Sequence, residues 1–66
     1  MKFTIEIYSM GDDGEATRLL RTTVNAINPL GARKEARLLL AAWKKRGANS
    51  AHILNAQEQI VYSWTE

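Results

Sequence analysis

Asn28-Pro29-Leu30-Gly31-Ala32-Arg33-Lys34-Glu35-Ala36-Arg37-Leu38-Leu39-Leu40-Ala41-Ala42-Trp43-Lys44-Lys45-Arg46-Gly47 is the stretch that decides the fold. Asparagine is a preferred helix N-cap, and proline in the first helical position gives up a donor that has no partner there. The residues that follow are mostly strong helix formers. Gly47 fits a left-handed C-cap, and Lys44, Lys45 and Arg46 sit where the helix dipole favours cations. A helix over about 29–46 is predicted. At about 100° per residue, Ala32, Ala36, Leu39, Leu40 and Trp43 share one arc, the core face. That face is small near its start and large near its end, so the helix should lie closest to its partner at Ala32 and Ala36.

Outward from the helix, the pattern changes to a period of two. Phe3, Ile5 and Ile7 alternate with Thr4, Glu6 and Tyr8, the mark of a two-faced strand over about 2–10. Gly11-Asp12-Asp13-Gly14-Glu15 has turn chemistry and no apolar residue. A second strand over about 17–25 follows, with Leu20, Thr22 and Val24 on one face and Leu19, Arg21 and Thr23 on the other. Beyond Gly47, strands are predicted over about 50–55 and 59–64, joined by a turn at Asn55-Ala56-Gln57-Glu58. The last strand places Ile60, Tyr62 and Trp64 on one face and Val61 and Ser63 on the other, and the pattern leaves open which of the two faces packs on the helix. The expected fold is therefore α+β, a four-stranded antiparallel sheet of two hairpins with one helix on one face, in the order β-β-α-β-β and within a single domain.

Composition narrows the classes. The chain has 66 residues, 45% hydrophobic and 24% charged, with net charge +2. That balance suits a folded chain. A domain this small buries only about 60% of the surface its unfolded chain exposes, so any staple matters. There is no cysteine, which removes disulfides and thiolate zinc sites, and one histidine does not make a metal site. No cofactor is expected. No apolar run approaches the length of a membrane span, and Met1-Lys2-Phe3-Thr4-Ile5-Glu6 lacks the apolar core of a signal peptide. A cytoplasmic protein with no membrane partner is the expectation, and self-association is the staple that remains.

The sheet supports that expectation. One helix covers one face of a sheet, so residues on the other face need water or a partner. Tyr8, Met10, Leu19, Leu54, Tyr62 and Trp64 are the candidates for that uncovered face. A contiguous apolar patch of this kind marks an interface, here a homodimer through the helix-free face. A sheet that curls over its own side chains is the plainer alternative.

The helix carries a second candidate. It holds six of the nine basic residues and one acid, Glu35. Arg33, Lys34, Arg37, Lys44 and Lys45 form a basic stripe beside and beyond the core arc. Such a stripe serves a nucleic-acid-binding regulator that grips phosphates. The plainer reading of the same stripe is an ordinary solvated helix face with dipole-favoured cations at its end. Tyr8, Tyr62 and Trp64 have the chemistry to stack bases, or simply to pack a sheet.

Nothing in the chain has the spacing of a catalytic set, so no enzymatic role is expected. His52 stands without a triad pattern. Asp12, Asp13 and Glu15 lack the ligand ladder of a calcium loop. Lys2 stands where small tautomerases carry their catalytic proline. Glu35-Ala36, Gly47, Ala51 to Leu54 and Ile60 to Ser63 resemble the C-terminal half of small bacterial β-β-α-β-β domains of unknown function. The turn at Asn55-Ala56-Gln57-Glu58 lacks the glycine usual there. The hairpin-plus-helix half is similar in outline to the arm-type DNA-binding domains of phage integrases. Neither resemblance implies a site residue.

Overall fold

The computed structural model describes residues 1–65. It contains strands β1 (Lys2–Met10) and β2 (Ala16–Asn25), helix α1 (Pro29–Trp43), and strands β3 (Ser50–Leu54) and β4 (Ile60–Thr65). One antiparallel sheet runs in the order β2-β1-β3-β4, giving the α+β fold in the expected β-β-α-β-β sequence.

The caps read from sequence are present. The Asn28 side chain accepts from the Gly31 amide, with Pro29 opening the helix. Regular α geometry ends at Trp43, and Lys44–Arg46 tighten into a single 3-10 turn that finishes at Gly47, φ 92°. The three cations therefore stand on the 3-10 turn rather than on the last turn of α1.

Phe3, Ile5 and Ile7 of β1 and Ala51 and Ile53 of β3 meet Ala32, Ala36 and Leu40 in the core, with Leu39 and Trp43 packed at its margin. Ala32 and Ala36 are fully buried. The helix packs on β1, β3 and, more lightly, β2, which leaves β4 outside its main footprint.

Two bulges revise the expected faces. The first lies opposite Ile7/Tyr8: Ile7 pairs with Leu20 and Tyr8 with Arg18, so Leu19 is the extra residue. A bulge breaks the alternation of side chains, and Leu19 packs against the core instead of pointing away from it. The second lies opposite Ile53/Leu54: Leu54 pairs with Ile60 and Ile53 with Tyr62, so Val61 is extra. Ile60 consequently shares the helix-free face with Leu54, while Tyr62 and Trp64 join Ile53 and Ala51 on the helix side. The six residues expected to form one uncovered patch are thus divided. Tyr8, Met10 and Leu54 lie on the helix-free face; Leu19, Tyr62 and Trp64 do not.

The helix-free face is also more polar than expected. Its successive rows across β2-β1-β3-β4 are Thr23, Thr4, Leu54, Ile60; then Arg21, Glu6, His52, Ser63; then Arg18, Tyr8, Ser50, Thr65. At its centre Glu6 is 8% exposed. Arg18 Nη1 stands 3.2 Å and Arg21 Nη1 3.9 Å from Glu6 Oε2, and the Tyr8 hydroxyl donates to Oε1 at 3.1 Å. Arg21 also reaches Glu58 at 2.8 Å. Burial of the Tyr8 hydroxyl, then its hydrogen bond to Glu6 and that carboxylate's charge, raise the phenol above its ordinary value of 10.0, against the opposing pull of Arg18 and Arg21.

Candidate nucleic-acid interface

The second bulge creates the site. By turning Tyr62 and Trp64 to the helix side, it sets two aromatic rings of β4 beside the basic flank of α1. The rings are 5.1 Å apart between centroids and tilted by 58°. The Arg33 guanidinium lies 4.1 Å from the Tyr62 ring centroid, and its Nη2 donates to the Tyr62 hydroxyl at 3.1 Å. Cation–π contact and hydrogen bond together fix a side chain that would otherwise sample many rotamers.

Two half-open depressions run along this flank. One, about 450 Å³, is lined by Asn28, Leu30, Gly31, Arg33, Lys34 and Arg37. The other, about 300 Å³, is lined by Arg37, Leu40, Ala41, Lys44 and Trp64. They share Arg37, so they form one seam. Among the described residues none of the lining side chains is acidic. The positions 33, 37, 40, 41 and 44 are spaced at helical turns and therefore lie on one side of α1 and its 3-10 extension.

Four of the five predicted basic residues, Arg33, Lys34, Arg37 and Lys44, come together here. Lys45 does not line either depression; it is exposed on the 3-10 turn. Arg46 lies elsewhere on that turn, with its guanidinium 5.0 Å from the Trp43 ring centroid. Tyr8 stands on the opposite face, 5.1 Å from the His52 ring, so the three aromatics do not form a common stacking platform. Arg33 already covers one face of Tyr62.

Sequence patterning missed two features. Tyr62 and Trp64 join the basic stripe only because Val61 is extruded, and a one-residue bulge leaves little trace in a short apolar run. The ion-paired Glu6 was legible only as a polar position of an alternating strand. Among the described residues there is no cluster of metal-ligating side chains, and no helix is long and apolar enough to cross a membrane. Comparison with protein-family models, with curated proteins and with solved structures finds no match to this chain.

Proposed function

We propose that this chain is a small non-enzymatic binding module that holds nucleic acid by its phosphates along the seam between α1 and β4. The observation that supports this reading is the gathering of Arg33, Lys34, Arg37 and Lys44 on one flank where, among the described residues, no lining side chain is acidic. Cations so arranged exchange condensed counterions for phosphates without reading sequence. The domain's modest net charge matters less than this local concentration, because the acids Asp12, Asp13 and Glu15 are confined to the β1–β2 turn.

The seam is half-open and bordered by cations, which suits a flexible anionic strand. Trp64 supplies an apolar wall for a base or sugar next to the phosphate contacts. A cysteine-free chain with this surface fits work in the reducing cytoplasm, where nucleic acid is at hand.

Binding of single-stranded and duplex oligonucleotides over a salt series tests the proposal. Four phosphate contacts give a log–log slope of about −3 for a single strand. The combined substitution Arg33→Gln, Arg37→Gln, Lys44→Gln is expected to remove most of that slope. Absence of binding at low salt by the unaltered protein rules the function out.

A further inference from the structure

We propose that the chain forms a twofold dimer by antiparallel pairing of β4 with β4 of a second copy, so that two seams flank one continuous sheet. This goes beyond the nucleic-acid reading and stands without it. The order β2-β1-β3-β4 leaves two open edges. Sheet edges present unpaired amides and carbonyls, and monomeric proteins blunt them with charge, proline or bulges. The β2 edge carries Arg18 and Arg21 amid threonines and ends on Asn25. The β4 edge reads Ile60-Val61-Tyr62-Ser63-Trp64-Thr65, with no charge, no proline and no glycine. Its bulge residue Val61 lies near the start, so Tyr62 to Thr65 stay in regular register with β3.

Three of the large hydrophobic residues left exposed to water cluster on this edge, while Met1, Ile27, Leu30 and Leu38 are exposed elsewhere. Ile60 is 57%, Val61 43% and Tyr62 37% exposed. The helix packs chiefly on β1 and β3 and reaches β4 through side chains, Arg33 over Tyr62, which leaves the outer rim of β4 uncovered by α1.

The occupant that fits is β4 itself. An antiparallel pair centred on Ser63 is symmetric: Ser63 meets Ser63, and Tyr62 of each copy lies opposite Trp64 of the other. Aromatic cross-strand pairs are among the favourable ones, and the strand brings no like charges face to face. A twofold axis at Ser63 also satisfies the self-complementarity that an isologous interface requires. The helix-free face is not needed for this contact, and its charges are already matched by the Glu6, Arg18, Arg21 and Glu58 ion pairs.

Sedimentation without nucleic acid, across a concentration series from low micromolar upward, tests the pairing. The unaltered protein is expected to approach twice the 7.4 kDa chain mass. Ser63→Lys sets two ammonium groups opposite each other at the axis and is expected to give a monomer with an unchanged far-ultraviolet spectrum. Thr23→Lys, on the other edge, should leave association intact. The chain has no cysteine, so Ser63→Cys under mild oxidation is expected to yield a covalent dimer in high proportion, and Thr23→Cys to yield little. A monomer throughout the series, a dimer that survives Ser63→Lys, or equal cross-linking at the two positions would each overturn the proposal.

Discussion

Arg33 on α1 and Tyr62 on β4 are joined twice, by a guanidinium 4.1 Å from the ring centroid and by a hydrogen bond of 3.1 Å to the phenol oxygen. The helix barely reaches β4 by backbone packing, so this pair is a principal tie between the two. It holds one cation of the seam in a fixed place while its outer edge remains open to solvent.

Separate substitutions divide the two roles of that pair. Arg33→Gln removes a charge and is expected to lower oligonucleotide affinity several-fold and to reduce the salt slope by about one. Tyr62→Phe keeps both the charge and the ring and is expected to leave the slope unchanged. Fluorescence anisotropy at several salt concentrations checks both. A Tyr62→Phe variant with a reduced slope would show that the hydroxyl, rather than the guanidinium, organises the seam.

Glu6 holds the helix-free face together. Glu6→Ala strips the acceptor from Tyr8 and leaves Arg18 and Arg21 facing each other. Both arginines are about half exposed, so solvent screens much of the loss, and the expected destabilisation is about 1–2 kcal/mol. Urea unfolding measures it. A change below a few tenths would mean that water replaces the carboxylate without cost.

Tyr8 gives the fold an alkaline limit. Its phenol is raised above 10.0 in the folded chain, so the neutral form is the one the fold favours. The associated stability is complete below the unfolded value and is lost as pH rises through the folded one. Tyr8→Phe is expected to flatten stability over that alkaline range and, by removing the hydroxyl that donates to Glu6, to lower stability near neutrality by about 1 kcal/mol. Denaturation midpoints taken from pH 8 to above 10 decide, in a range set by the tyrosine reference value.

Glu58 occupies a left-handed backbone position, φ 61°, at the end of the turn closed by the Glu58 amide bonded to the Asn55 carbonyl at 3.0 Å. A side chain there costs about 1 kcal/mol relative to glycine. Its ion pair with Arg21 is exposed and offsets only a few tenths. Glu58→Gly is accordingly expected to raise stability by about 0.5 kcal/mol, and Glu58→Gln to lower it slightly. Thermal unfolding of the two variants shows whether the strain or the ion pair is larger.

Much of this fold was legible because its signals are local. Asn28-Pro29 and Gly47 bracket the helix by cap chemistry, and the Phe3, Ile5, Ile7 alternation marks the central strand. The basic stripe was legible for the same reason: its spacing belongs to a single helix. What the pattern did not carry were relations set between strands. Leu19 and Val61 each shift a register by one position, and such a shift reverses which side chains face the helix. The expected uncovered patch dissolved for that reason, and Tyr62 and Trp64 came to lie beside Arg33 and Arg37.

The strand order has a consequence for how the chain assembles. Each hairpin closes over a short turn, yet the ladder between β1 and β3 joins positions as far apart as Thr4 and Leu54. Closing so long a loop is entropically slow compared with forming either ribbon. The ordering expected from this is ribbons and helix first, with their merger at the middle of the sheet as the slow step, which substitutions in the β1–β3 ladder would reveal as changes in folding rate. Until it occurs, the rims of both ribbons are bare, and crowding at that stage favours tangles between chains over completion within one.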